Sequence, residues 1–234
     1  MNVRTTHQEA SLTAGEKRAT ASPPARVGGI CALLAFVTFT IGVIAGGLAQ
    51  PDAYSFANDD ISPTGAVTAN SAWLHNQVGS NLSGLLIALA GLALWRVLSP
   101  DILGRIGAAT LVAGGISLFS DGFLRLDCNG IDAGCENVSW HAHAHKIESN
   151  ITGNLLFATP FILAFAFRRN RGWRGAWLPT LLAVPAALAI GILFSALGGG
   201  AAQRATNWTW FVWLAFVGVW LLQERPHGAP VKES

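Results

Sequence analysis

Six apolar runs, at residues 27–49, 74–98, 106–124, 151–167, 176–197 and 208–222, constrain this chain more than any other feature. Each reaches or approaches the ~20 residues that a helix needs to cross the hydrocarbon core of a bilayer. Most are rich in Leu, Ala and Gly and nearly free of charge. Backbone groups in hydrocarbon must be paired within the protein, and runs of this length do so as helices. Barrel strands would be about half as long and would alternate. The reading is an all-α, six-helix transmembrane bundle.

Composition excludes the soluble alternatives. Of 234 residues only 12% are charged and 51% are hydrophobic, with a mean hydropathy of +0.42. A soluble domain carries about 25% charged residues. A net charge of +2 is too small to neutralise the many phosphates that a nucleic-acid binder contacts, so no nucleic-acid partner is expected. Three cysteines cannot make a disulfide framework.

Orientation follows from Lys and Arg. With the N-terminus inside, twelve of these residues fall on inner segments, and only three, Arg125, Lys146 and Arg204, on outer ones. That asymmetry places the N- and C-termini in the cytoplasm of a cell membrane, taken to be a bacterial cytoplasmic membrane. Residues 1–26 read as a disordered cytoplasmic tail, 27–223 as the six-span domain and 224–234 as a second cytoplasmic tail. Gly47-Leu48-Ala49 resembles a signal cleavage site, but the preceding apolar core of 23 residues exceeds the 7–15 typical of a signal. The run is read as a span. Trp73, Trp95, Trp173, Trp177 and Trp208 gather near span ends and read as interfacial anchors.

Inner connections are short, whereas the outer segments 50–70 and 125–146 are long, polar and rich in turn residues. Long loops are uncommon unless functional, so the chemistry is sought there. The segment Trp140-His141-Ala142-His143-Ala144-His145-Lys146-Ile147-Glu148 is the sharpest feature. If Ser139 caps a helix, His141, His145 and Glu148 fall at i, i+4 and i+7 on one face, while His143 points elsewhere. Two imidazoles so spaced can share one metal ion, and His75 is the natural third ligand of an open site. In an extended segment His141, His143 and His145 would instead share a face.

Two chemistries are open for such a site. With zinc or another divalent metal on His75, His141 and His145, Asp121 or Asp127 would serve as base and Ser71 would stabilise an oxyanion, as in a membrane-embedded hydrolase. Without metal, Asp60 or Asp127 above an aromatic-lined cavity would suit acid–base processing of an isoprenoid alkene. Glu148 shares the histidine face and joins the catalytic candidates. Arg204 has the geometry to bind a carboxylate or phosphate, or to tie the outer loops as a salt bridge; Asn81, Trp210 and Trp213 are the other candidate substrate contacts. The expected ligand is an amphiphilic small molecule, lipid or isoprenoid-like, met at an outward-facing site beside the bilayer. The competing class is a non-enzymatic lipid-binding or accessory subunit with a structural outer cap, and protein partners are left open. A transporter is disfavoured, because no charge interrupts the middle of a span. Cys128 and Cys135, close together in one outer loop, are expected to form a disulfide, and Cys31 to be a small packing residue.

These motifs resemble the DUF998 family of six-span bacterial and archaeal membrane proteins. The resemblance lies in Asp60-Ile61-Ser62 with Gly65-Ala66, in Asn81 with Gly84, and in Phe123 with Asp127. It continues in Trp140-His141 with His145 and in Gln203-Arg204 before an apolar last span. It covers about residues 27–223, implies a six-helix membrane fold and favours His141 and His145 over His143. It brings no mechanism, and His75, His143 and the Cys128/Cys135 pair stand outside it. A looser chemical similarity links Ser71, His75, an outer Asp, His141 and His145 to the membrane zinc hydrolases that include alkaline ceramidases, although helix order and number differ.

Overall fold

The computed structural model describes residues 21–99 and 101–223. Within them the protein is all-helical, with six helices long and apolar enough to cross a membrane. These are α1 (Pro23–Leu48), α2 (Leu74–Val97), α3 (Ile102–Asp121), α4 (Trp140–Arg169), α5 (Trp177–Phe194) and α6 (Gly199–Gln223). Each packs on the next in sequence, and α6 returns to α1. The six therefore close into a ring.

The expected tails at 1–20 and 224–234 lie outside the described residues. The last residues of the first expected tail are already helical, since α1 starts at Pro23 with the Ser22 hydroxyl accepting from the Ala25 N–H. Proline suits that first turn because its missing N–H has no partner there in any case. Likewise α4 begins at Trp140 rather than 151, and α6 at Gly199 rather than 208. Their first turns hold His145, Glu148 and Arg204, all buried, so polar side chains that face inward hid these turns from a hydropathy reading.

Small residues set the closest approaches. A Cβ at Gly42 of α1 would collide with the backbone of Gly79, and one at Gly115 of α3 with the backbone of Gly84 and Ala88 on α2. Cys31 is buried inside α1 as a free thiol. Trp173, expected at an interface, is instead fully buried and stacked on Phe167 at 4.5 Å. The short 171–176 turn folds back under α4 and places its ring inside the bundle.

One feature of α2 escapes any periodicity argument. Its first nine residues, Leu74–Leu82, wind as a π-helix before the regular helix begins at Ser83. Wide turns of this kind recur at functional sites.

The long connections, 49–73 and 122–139, meet at one end of the ring and are tied together. Arg125 donates from Nε to the Gly65 carbonyl (3.0 Å) and from Nη2 to that of Ala66 (2.6 Å). The Ile61 N–H donates to Gln203 Oε1 on α6 (2.7 Å). Cys128 and Cys135 are joined by a disulfide. The result is a fixed cap over the long-loop end.

Candidate functional site

Beneath that cap, α2, α3 and α4 bring four ionisable side chains, His75, Asp121, His145 and Glu148, to one point. Ser139 is the N-cap of α4, its hydroxyl accepting from the Ala142 N–H at 3.1 Å. The helix therefore presents His141, His145 and Glu148 at i, i+4 and i+7, as the sequence implied. They meet different acids. His145 and Glu148 enter the ring, while His141, on the first turn, meets the loop.

Asp121, the last residue of α3, is the hub. The Ser80 hydroxyl donates to its Oδ2 at 2.6 Å, and His75 Nε2 stands 3.6 Å from the same oxygen. On the other side His145 Nδ1 lies 3.0 Å from Oδ1. His145 Nδ1 also donates to the Leu124 carbonyl at 2.8 Å. A carbonyl only accepts, so Nδ1 carries the hydrogen and Nε2, 3.4 Å from the Ser149 hydroxyl, keeps its lone pair in the neutral ring. Ser80 spends its hydrogen on Asp121 and so accepts from His75 Nε2 at 3.5 Å, which leaves His75 Nδ1 as that ring's free lone pair.

The π turn makes this possible. In a regular α-helix, residues five apart are rotated by about 140° and do not share a face. The wider winding brings His75 and Ser80 to the same carboxylate.

Glu148 completes the group. Its Oε1 accepts from the hydroxyls of Ser117 (3.2 Å) and Thr152. Its Oε2 is buried without a protein partner, as is His75 Nδ1. Asp121, His145 and Glu148 each offer one ligand atom within 4.8 Å of the others. None of the four residues is more than 7% exposed.

His75, Ser80, Asp121 and Glu148 line a cavity of about 210 Å³. Its apolar lining comes from Phe39 of α1, Leu156 and Phe157 of α4, and Trp210 and Phe211 of α6. Ile61 and Ser62 of the cap and Gln203 and Asn207 of α6 also contribute. Trp210 is pinned by its own N–H, which donates to the Leu156 carbonyl at 2.8 Å. Gly153 also lines the cavity, and a Cβ there would meet nothing within 4 Å.

The other acid–histidine pair sits in the cap. Asp127 Oδ2 accepts from the N–H groups of Val138 and Ser139, both at 2.9 Å, and its Oδ1 stands 3.5 Å from His141 Nε2. The Ser139 N–H, followed by the Ser139 hydroxyl, outweighs a small burial penalty. With the Val138 N–H and the His141 ring, they hold the Asp127 carboxyl below the ordinary carboxylate range. His141 Nδ1 donates to the Arg125 carbonyl at 2.6 Å and to the Ser139 hydroxyl at 2.9 Å. His143 is exposed and donates to the Ser139 carbonyl.

The sequence matches the family model described as "Protein of unknown function (DUF998)" over residues 30–220. The chain belongs to the DUF998 family. The matched range takes in every side chain that lines the cavity, from Phe39 to Phe211. No curated protein and no solved structure matches it.

In this DUF998 protein the expected three-histidine set is not assembled. His75 and His145 share Asp121, whereas both ring nitrogens of His141 are engaged in the cap. Asp127 is likewise engaged there rather than at the cavity. Ser71 is exposed in a left-handed conformation (φ 47°) and lies outside the cavity lining, so the hydroxyl beside His75 is that of Ser80. Asp60 is exposed, and its carbonyl accepts from the Tyr54 hydroxyl.

Arg204 is buried, and both of its terminal nitrogens are hydrogen-bonded. Its Nη1 donates to the carbonyls of Phe56 (2.9 Å), Asp59 (2.7 Å) and Gly200 (3.0 Å), and its Nη2 to the Tyr54 hydroxyl. Burial pushes the Tyr54 phenol up, against the opposing pull of Arg204. Of the two readings of Arg204, loop-tying is the one seen, though through carbonyls rather than a salt bridge. Asn81 is buried and donates to the Phe119 carbonyl, joining α2 to α3. Trp213 donates to Thr180 on α5 and lies outside the cavity lining, so Trp210 alone of the substrate candidates faces the cavity.

Ser80, Ser117, Thr152 and Asn207 are polar residues that the sequence reading did not single out. Thr152 had a signal, since it stands four residues after Glu148 on the same helical face. Ser80 had none, because its place depends on the π turn.

Proposed function

We propose that this DUF998 protein takes the polar end of an amphiphilic small molecule into the cavity beneath the cap and acts on it by acid–base chemistry. The observation that carries the reading is the mixed lining: the ionisable and hydroxyl groups of His75, Ser80, Asp121 and Glu148 share one cavity with the aromatic rings of Phe39, Phe157, Trp210 and Phe211. Ionisable groups inside a membrane bundle are functional candidates by default, because they are costly to hold there. A volume of about 210 Å³ is below the ~300 Å³ at which whole drug-sized ligands are held. It suits a headgroup or one short branched unit, with the remaining apolar chain outside.

Within this reading Asp121 holds its two imidazoles in fixed orientations, and Glu148 Oε2 is the carboxylate oxygen left free to exchange a proton with the ligand. The Lys/Arg asymmetry supports a long-loop end facing away from the cytoplasm, with the site reached from that side of a bacterial cytoplasmic membrane. Binding without turnover is the other reading, and the occupation of Arg204 and Asp127 by structural bonds favours it over any chemistry routed through the cap.

Gly153→Leu tests the site. The new side chain enters open space along the cavity, and replacing a helical glycine is neutral to favourable by up to about 1 kcal/mol. Solvent extraction and mass spectrometry of the detergent-purified protein are expected to reveal a retained amphiphile in the wild type. The variant should lose it while its melting temperature is kept or raised. Equal retention by both proteins would overturn the reading.

A further inference from the structure

We propose that Asp121, His145 and Glu148 bind one divalent metal ion of the zinc class, with His75 behind them holding the Asp121 carboxylate. The proposal rests on the cavity being a ligand site and specifies what meets the ligand's polar end.

Geometry is the first support. Asp121 and Glu148 each offer a carboxylate oxygen, and His145 one of its two ring nitrogens, all within 4.8 Å of one another. Two ligands of one zinc ion stand about 3–4 Å apart, given bonds of ~2.0–2.2 Å. Small side-chain rotations gather the set.

The hydrogen-bond pattern is the second. A metal-binding histidine usually donates its other ring N–H to a carbonyl or carboxylate, which fixes the tautomer. His145 does this: Nδ1 donates to the Leu124 carbonyl at 2.8 Å, with Asp121 Oδ1 at 3.0 Å, and Nε2 keeps a lone pair. His75 supports the set from behind, with Nε2 directed at Ser80 and at the Asp121 carboxylate. The two buried atoms at this point without protein partners, Glu148 Oε2 and His75 Nδ1, are both lone-pair donors on residues that line the cavity.

Charge is the third. Asp121 and Glu148, if both ionised inside a ring of apolar helices, would carry two negative charges that neutral imidazoles do not balance. Burying unpaired charge is costly, and one divalent cation brings the set to neutrality. Mixed carboxylate and imidazole donors suit zinc or manganese better than calcium or magnesium, which favour all-oxygen sites. Three protein ligands leave the ion room for a ligand from the cavity. Protons on Glu148 or on the imidazoles beside Asp121 are the competing way to balance the charge, and the experiment separates the two.

The full chain, purified in detergent, is stripped with a chelator and titrated with zinc chloride by calorimetry, with elemental analysis after desalting. The wild type should retain about one zinc per chain and melt at a higher temperature with it. Glu148→Gln and His145→Gln should each weaken binding at least about tenfold, and His141→Gln and His143→Gln should leave it unchanged. No stoichiometric uptake by folded wild type would overturn the proposal, as would an equal loss in His141→Gln. If the Glu148 and His145 variants fail to fold, X-ray absorption of the zinc-loaded wild type decides. Imidazole and oxygen ligands at about 2.0–2.1 Å support the site, and a spectrum without imidazole overturns it. Amphiphile retention by the stripped protein is read separately. Retention without zinc uptake sinks the metal and keeps the cavity reading, and uptake without retention does the reverse.

Discussion

His141 and His145 stand one helical turn apart on α4, each beside an aspartate, yet the two pairs are built for different work. Asp127 spends one oxygen on two backbone N–H groups and faces His141 with the other, so its hydrogen bonds close the 127–139 loop. Asp121 receives no backbone donor; Ser80, His75 and His145, side chains from two other helices, converge on it. One pair is finished by the main chain and lies half-exposed. The other is buried beside a cavity with two lone-pair atoms still unpartnered. Equal residue types at equal spacing thus become a loop clamp or a chemical centre according to what else donates to the acid.

The largest expected contrast is in stability. Asp121→Ala strips the acceptor from a buried hydroxyl and two buried imidazoles, and breaking a buried polar set from one side costs about 3–5 kcal/mol. Asp127→Ala removes an acceptor that water replaces at the surface, so its effect should stay local to the cap. Thermal unfolding in detergent checks this. A larger loss for Asp127→Ala would reverse the comparison.

A smaller contrast is expected with pH. The Asp127 carboxyl is held below its ordinary range chiefly by the Ser139 N–H. Its contribution to the cap is therefore complete above the unfolded carboxylate value of about 3.9. It is lost as pH falls through the lower folded value. Hydrogen exchange should show the Val138 and Ser139 amides protected at pH 6 and progressively less so as the pH falls toward 3. Protection that instead grows on acidification would contradict the assignment of Asp127 as the clamp.

Six spans were legible because hydrocarbon demands long apolar helices, and that demand is written directly into the residue types. The start of α4 was legible too, through Ser139 as cap and the i, i+4, i+7 face. The partition of that face was not. Nothing in the spacing says that His141 falls where loop N–H groups already claim Asp127, or that His145 falls one turn deeper where Asp121 ends α3. His75 and Asp121 were both named, with Asp127 as the alternative acid, but Ser80 was invisible because the π turn that delivers it has no periodic signature. Ser71 was read as an oxyanion stabiliser, but it stands in an exposed turn outside the cavity lining. Arg204 read equally as an anion binder or a loop tie, and three carbonyl acceptors decide it.

The central claim is that the chemistry belongs to Asp121 and not to Asp127. Asp121→Asn and Asp127→Asn keep side-chain shape and remove one negative charge from each pair. Native mass spectrometry of both variants beside the wild type reads the bound amphiphile directly. The expected result is loss of the bound species in Asp121→Asn, with Asp127→Asn indistinguishable from the wild type. Retention in Asp121→Asn together with loss in Asp127→Asn would contradict the account and move the site into the cap.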